Sequence, residues 1–406
     1  MSQQRLIVIG GGAAGFFCAI NAARLNPGLK VTLLEKSSKL LAKVRVSGGG
    51  RCNVTHQLFE IGPFSQRYPR GQNFLKKTLH QFDAIATLRW FEERGVTLKA
   101  EADGRMFPTT DSSETIIACL LREAARYAVE IRMNADVRSV RKDDSFHVEL
   151  ASGQVLQADA LCIASGGAPK SSQFDWLRAL GHSIVDPLPS LFTFNLPGHP
   201  ISALMGLSVE RARVKIEGSK LVEEGPVLIT HWGLSGPAIL RLSAWGAREL
   251  AEKQYTFNVH VHWSPAQSDA DLKSEFSDAR RHHPQRKVLN GNPTPLPARL
   301  WEFLLQQAGI STEQRFADLP AKAENALIRS ITDSVFSVKG KTTFKEEFVT
   351  AGGIHLSEVD PNTMMSRKVP GLYFAGEVLD VDGITGGFNF QHAWTSGWIA
   401  AASIGK

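Results

Sequence analysis

The chain has 406 residues, 43% hydrophobic and 21% charged, which is long enough for two or three domains and too apolar for a disordered polymer. No apolar run approaches the ~20 residues of a membrane helix, so a soluble protein is expected. Its formal charge of +6, with an isoelectric point near 9.1, is spread along the chain apart from the cluster "RRHHPQRK", and is too diffuse to predict a stable nucleic-acid partner.

The opening "MSQQRLIVIGGG" reads as a strand entering a turn rather than as a signal peptide, which predicts a cytoplasmic protein. Cys18, Cys52, Cys119 and Cys162 stand far apart with no C-x-x-C pair, so neither structural disulfides nor a metal site is expected. From Leu6 to about Pro189, strands rich in Val, Ile and Leu alternate with helical patterns, the texture of an α/β fold with a parallel sheet. From about Ser190 to Trp263, period-two runs such as "SVERARVKIEG" and "YTFNVHVHW" predict antiparallel strands in a small barrel or sandwich. Helical pieces such as "LPARLWEFLLQQAG" follow, and after Gly340 the glycine-rich α/β texture returns. The expected organisation is therefore a Rossmann-like domain from residues 1–189 plus 340–406, an inserted β-barrel domain at 190–265 and a helical subdomain at 266–339.

The first motif is "RLIVIGGGAAGFFCAINAARLNPGLKVTLLEK". A buried strand runs into Gly10, Gly12 and Gly15 at G-x-G-x-x-G spacing, then into a helix of small residues and a second strand ending at Glu35. Gly10 permits the tight turn, Gly12 lets the backbone approach a pyrophosphate, and Gly15 allows the helix to pack closely on the sheet. The helix start, at Ala13 and Ala14, supplies amide donors and a favourable dipole. Glu35 suits the ribose hydroxyls of an adenosine and disfavours a 2′-phosphate.

The second motif is "KVRVSGGGRCNVT", Lys43 to Thr55. Gly48, Gly49 and Gly50 free the backbone to aim amides at one point, while Ser47, Arg51 and Asn53 add donors for phosphate or a flavin edge. Cys52 reads either as a buried inert thiol or as a group facing the ligand. A third stretch, "QADALCIASGGAPKS", ends a buried strand in Ser165, Gly166 and Gly167, where a dinucleotide crosses the sheet edge. The hairpin before it offers the Val137 backbone to an adenine, or is purely structural. The fourth, "VPGLYFAGEVLDVDGITGGFNFQHAWTSGWIAA", delivers Gly376, Glu377 and Asp380 after a strand. A glycine turn, Gly386 and Gly387, then starts a helix at about Asn389, whose first amides suit negative charge on a reduced flavin.

Together with "GRMFP", "THWGLSGPAIL" and "TAGGI", these motifs make nearly the whole chain resemble the bacterial FAD-binding flavoproteins grouped with aminoacetone oxidase and the bile-acid reductases, including the YhiN-like proteins. The resemblance implies a two-dinucleotide-binding-domain type of flavoprotein fold with an inserted β-barrel and a helical subdomain. It also implies that Gly10, Gly12, Gly15, Glu35, Ser47, Arg51, Asn53, Gly376, Glu377, Asp380, Gly387 and Asn389 line the FAD, for which noncovalent binding is the simpler expectation. Ala13, Ala14, Lys36, Lys43, Gly48, Gly49, Cys52, Val137, Ser165, Gly166, Phe388 and Gln391 complete the candidate cofactor set. The stretch "FNFQHAW" departs from the family pattern, which has Tyr where Phe388 stands and an aliphatic residue or Trp in place of Phe390 or His392.

His392 reads as a proton donor near the flavin or as a packed, hydrogen-bonded side chain. Arg105 and Phe107, with His231 and Trp232, are candidate substrate contacts, and His392, Arg105 and His231 are the candidate catalytic groups. No second G-x-G-x-x-G follows an internal strand, so NAD(P)H, if it is the donor, docks transiently. The expected activity is hydride transfer between flavin and a small amine or an unsaturated or steroid-like carbonyl compound, with oxygen or NAD(P)H as the other redox partner. Two alternatives remain at this stage: an FAD-dependent RNA-modifying enzyme and a flavin sensor without turnover.

Overall fold

The computed structural model describes residues 3–342 and 349–405. The chain divides into two compact units, one of residues 1–190 with 344–406 and one of residues 191–343.

The first unit is organised by a five-stranded parallel sheet. Its strands run in the order Leu372–Phe374, Ala160–Ile163, Arg5–Ile9, Lys30–Leu34, Glu130–Arg132. Four of the strands are short, mainly apolar runs buried at successive residues, so both faces of the sheet are covered and no solvent face is left to alternate, whereas the edge strand Glu130–Arg132 is half-buried. Leu6, Val8, Leu33, Leu161 and Phe374 are essentially inaccessible. Helix Ala13–Leu25 starts directly after the glycine turn and is buried without a break from Ala13 to Ala23. Helix Phe388–Ser403 packs against it. A Cβ at Gly397 would lie 2.7 Å from the Ala14 carbonyl oxygen, so glycine is what allows the two backbones to approach.

Smaller antiparallel pieces complete this unit. Strands Val137–Lys142, Phe146–Leu150 and Val155–Ala158 form one three-stranded sheet, and Thr55–His56, Arg105–Pro108 and Leu98–Ala100 another. Strand Ile184–Ser190 pairs antiparallel with Val349–Ile354, with Ser190 opposite Val349, so the end of the first stretch of chain is stitched to the start of the last.

The second unit holds a seven-stranded antiparallel sheet, from Ser334–Lys339 at one edge through Thr256–His262, Ser208–Ile216, Val222–Ile229, Gly233–Ser235 and Thr193–Asn195 to Lys341–Thr342. Alternation sets its inner face: Val209, Ala212, Val214 and Ile216 are buried while Glu210, Arg211, Arg213 and Lys215 point out. The two edge strands are one run of chain interrupted at Gly340, whose amide donates to the Tyr255 carbonyl at 2.8 Å and whose carbonyl accepts from the Asn195 amide at 3.2 Å, so the sheet curls round until its first and last strands follow one another in the chain. Helices pack against its apolar residues. Val214, Val259, Val261 and Trp263 of the strands share one apolar core with Leu272, Phe276, Leu300, Trp301, Leu304, Leu327 and Ile331 of helices Asp269–His282, Ala298–Gln307 and Ala321–Thr332. The helices of residues 266–339 therefore have no core apart from the sheet.

Candidate functional site

Three of the parallel strands end side by side: the Ala164 amide donates to the Ile9 carbonyl at 2.8 Å, and the Ala375 amide to that of Ile163 at 2.9 Å. The carboxyl ends of adjacent parallel strands are where α/β sheets bind ligands. Gly10 has φ +115°, and a Cβ there would lie 2.2 Å from the Ala164 carbonyl oxygen. A Cβ at Gly15 would lie 1.9 Å from the Gly10 oxygen. Both glycines are dictated by packing. Gly12 differs, because a Cβ there meets nothing within 4 Å. It is the N-cap of helix Ala13–Leu25 and brings no side-chain cap, so the first-turn amides at Ala13 and Ala14 are open to an anionic ligand beside Gly12.

Glu35 ends the second strand. Its Oε2 accepts from the Gly11 amide at 2.9 Å, while Oε1 accepts from the Ser37 amide and hydroxyl at 2.8 and 2.7 Å. The carboxylate thus braces the glycine turn and keeps lone pairs for a ribose. Lys36 is exposed beside it. The Ala135 amide donates to the Glu35 carbonyl at 2.8 Å, bringing the approach to half-buried Val137 next to the same strand end. Ser165 is exposed, and Gly166, φ +76°, has open space at its Cβ position.

The second glycine loop distorts the end of helix Ala42–Gly50. Ser47 is extended, and Gly48, Gly49 and Gly50 have φ of +59°, +70° and +83°. Gly48 packs on Phe107, whereas Gly49 and Gly50 face open space, a cradle of backbone amides suited to an anion or carbonyl. Ser47 donates to the Val44 carbonyl at 3.0 Å, and the Cys52 amide to the Ser47 carbonyl at 2.9 Å. Cys52 is fully buried, and burial pushes its thiol up to about 12, so it is an inert thiol at neutral pH. Arg51 lies 4.0 Å over the Phe107 ring and pairs with Glu101 at 2.5 Å. Arg105 lies 5.5 Å from the same ring and pairs with Asp103 at 2.7 Å and Glu101 at 3.0 Å. Both arginines already hold carboxylates and are about one-third exposed.

The C-terminal motif closes on these loops. Gly376, φ +76°, sits so close to Ala14 that a Cβ would lie 2.8 Å from the alanine methyl. Its amide donates to Ser396 Oγ at 2.8 Å. Glu377 accepts from the Thr350 amide at 2.8 Å and pairs with Lys43 at 2.7 Å, tying the first and last stretches of chain together. Asp380 is half-buried, its amide on the Ile354 carbonyl. At Gly387, φ +91°, a Cβ would lie 2.5 Å from the Thr55 carbonyl oxygen. Asn53, with its amide turned to satisfy both neighbours, donates to that oxygen at 3.0 Å and accepts from the Gly387 amide at 2.9 Å. Helix Phe388–Ser403 has no side-chain cap, so it too presents an unpaired first turn.

Several candidate side chains are engaged within the protein. Asn389 grips Gly383 through both its oxygen and its nitrogen, at 2.8 and 2.9 Å. Gln391 is fully buried among Thr55, Thr87 and Thr395, at 2.7, 2.9 and 3.1 Å. Phe388 is packed against His56, Phe64 and Tyr68. His392 is 2% exposed, with Nε2 3.2 Å from the Gly376 carbonyl oxygen. Burial pushes its imidazole down to about 4, so it is neutral at pH 7, and its buried Nδ1 has no hydrogen-bond partner among the described residues. His231 and Trp232, ring centroids 3.8 Å apart, occupy the turn between strands Val222–Ile229 and Gly233–Ser235 of the other unit.

Sequence reasoning missed Thr350, Asp382 and the stretch Arg67–Gly71, which is bonded to the loop before the last helix. The signal was weak, a lone "RYPRG" and an aspartate in "DVDG". Among the described residues no helix is long and apolar enough to cross a membrane, and no group of three or more His, Cys, Asp or Glu is disposed to hold a metal ion.

The family model described as the HI0933-like protein Rossmann domain matches residues 4–403. The chain is 32% identical over 414 residues to a ribosomal RNA dihydrouridine synthase of Escherichia coli (strain K12), covering 100% of this chain and 98% of the relative. It is 30% identical over 413 residues to a 3-dehydro-bile acid delta(4,6)-reductase of Clostridium scindens, covering 100% of both. Among solved structures, a 3-ketosteroid-delta4-(5alpha)-dehydrogenase from Rhodococcus jostii RHA1 superposes with a TM-score of 0.53 at 14% identity, covering 99% of this chain and 98% of that one. The chain belongs to the HI0933-like Rossmann family.

Proposed function

We propose that this protein is an FAD-dependent reductase of carbon–carbon double bonds conjugated to a carbonyl group. The observation that carries this reading is the convergence of two uncapped helix starts and the Gly48–Gly50 cradle around the carboxyl ends of the parallel strands. The open space at Gly12, Gly49, Gly50 and Gly166 fits a dinucleotide, since each leaves bare backbone that a ligand can approach. In this reading the Ala13 and Ala14 amides hold the pyrophosphate and Glu35 holds the adenosine ribose. Glu377 and Asp380 take the polyol chain, and the start of helix Phe388–Ser403 faces the ring end that becomes negative on reduction. Bound flavin supplies a hydride from N5; the chain's own residues bind, orient and tune it.

The substrate class rests on chemistry shared by two relatives. A dihydrouridine synthase saturates a uracil double bond next to a carbonyl, and the named bile-acid reductase acts on an equivalent conjugated system. Both names describe saturation of a carbon–carbon double bond, which favours reduction over amine oxidation. NAD(P)H serves as a transiently docking donor, which fits a cytoplasmic enzyme. A second reading, uracil within RNA as the substrate, is favoured by the 32% identical relative.

The test is to load the protein with FAD, photoreduce it without oxygen and mix it with a steroid 4-en-3-one or with unmodified ribosomal RNA. Reoxidation by the steroid supports a small-molecule enone reductase, and reoxidation by RNA the second reading. A reduced flavin that neither reoxidises would sink the proposal.

A further inference from the structure

The segment Arg67–Gly71 belongs to no nucleotide-binding motif, yet it is bonded at successive points to the loop Asp380–Phe388. The Arg67 carbonyl accepts from the Ile384 amide at 3.0 Å. Tyr68 is buried; its hydroxyl donates to the Phe388 carbonyl at 2.6 Å, and its ring lies where a Cβ at Gly383 would come within 3.2 Å. Arg70 forms an isolated antiparallel bridge with Asp382, and its guanidinium meets both carboxylate oxygens, Nε to Oδ1 at 2.5 Å and Nη2 to Oδ2. Ser190 Oγ adds a bond to Oδ2 at 2.7 Å. The Asp382 side chain is fully buried and that of Arg70 is 10% exposed. At Gly71, φ +81°, a Cβ would come within 2.6 Å of the Val381 side chain, so the two segments run in direct contact.

Loops normally lie on the surface and are held by their own turns. Here a desolvated ion pair and a buried phenol are committed to a loop, an arrangement that fixes geometry more effectively than it adds stability. That loop carries Asp380 at one end and the uncapped start of the last helix at the other. We infer that Arg67–Gly71 is a positioning strap: through Phe388 and Asp382, Tyr68 and Arg70 hold the direction in which the first-turn amides of helix Phe388–Ser403 point. This rests on the flavin reading above. Helix-start amides act over a short range, so a small tilt weakens the hold on a reduced, negatively charged flavin more than on the neutral oxidised one.

The experiment uses the full chain loaded with FAD. Tyr68→Phe keeps the ring and removes the bond to Phe388, and Arg70→Lys replaces a two-pronged contact with a point charge. An Asp382 variant would strand the guanidinium, so Tyr68→Phe decides the matter. FAD affinity is read by fluorescence quenching and the two-electron midpoint potential by equilibration with reference dyes. Tyr68→Phe is expected to bind oxidised FAD within about twofold of the parent and reduced FAD about tenfold more weakly, a potential about 30 mV lower. Arg70→Lys is expected to shift it the same way. An unchanged potential in a Tyr68→Phe protein with unaltered thermal unfolding overturns the strap and leaves the flavin reading standing. A parent chain that takes up no FAD overturns both.

Discussion

Gly10 and Gly12 stand two residues apart in one turn, yet the structure separates what each is for, and alanine at each position reports on a different property. Gly10 has φ +115° and a Cβ position 2.2 Å from the Ala164 carbonyl oxygen, so Gly10→Ala meets both backbone strain and overlap. Left-handed strain of ~1–2 kcal/mol and overpacking of ~1–3 kcal/mol give a folding loss of about 2–5 kcal/mol. Gly12 has φ −92° and free space around its Cβ position, so Gly12→Ala costs the apoprotein only ~1 kcal/mol or less, through its poorer N-cap. The new methyl instead occupies the ground where a pyrophosphate would sit. Losing one hydrogen bond to a charged group, ~1.5–3 kcal/mol, weakens FAD about ten- to a hundredfold. Urea unfolding of the apoproteins and fluorescence titration with FAD measure the two effects separately. If Gly12→Ala bound FAD like the parent, or unfolded as easily as Gly10→Ala, the assignment of this turn to the dinucleotide would be refuted.

Three further outcomes can be checked. Burial alone would raise the Glu358 carboxyl, but contacts from Lys368, Ser183 and His182 bring it down to about 2, from an ordinary 4.5. Its folded value is the lower one, so its contribution is present above pH 4.5 and lost as pH falls towards 2. It amounts to about 3 kcal/mol at most. His182, lowered from 6.5 chiefly by burial, acts in the same direction as the solution is acidified. Glu358→Gln should therefore lower stability at pH 7 and flatten its decline in acid; equal losses at pH 7 and pH 3 in denaturant titrations would contradict the linkage. His392, with a value of about 4, should stay neutral in an NMR titration down to pH 5, and His392→Phe should leave no missing inflection between pH 5 and 8 in the rate of flavin reoxidation. Trp301→Ala should destabilise by ~3–5 kcal/mol. Hydrogen exchange should then quicken in strand Thr256–His262 as well as in the helices, because one core serves both; protection retained in the strand would argue for separate cores.

The Rossmann part of the fold was legible because its signals are local. An apolar strand, glycines at fixed spacing and an acid at the next strand end each do a job within thirty residues of chain, and the structure brings Gly10, Glu35 and Gly376 to one sheet edge. The middle was harder because texture is not packing. The switch from alternating strands to amphipathic helices suggested a boundary near residue 265, whereas Leu300, Trp301 and Leu304 cover the very face that Val214 and Val259 present. Side-chain roles were the least legible. Asn389 and Gln391 lie in a motif rich in ligand-like residues, but on a helix neighbouring side chains point about 100° apart, and these two point to Gly383 and to Thr55 and Thr87. Nothing in their spacing distinguishes a group that meets a cofactor from one that secures the loop behind it.

The ladder between Ile184–Ser190 and Val349–Ile354 has a consequence for how the chain could be shortened. Since Ser190 stands opposite Val349, residues 191–348 begin and end at one rung of a ready-made hairpin. A two-residue turn of the Asn-Gly kind spans such a gap, so the nucleotide-binding half could be produced as a miniature with its stem sealed and its parallel sheet uninterrupted.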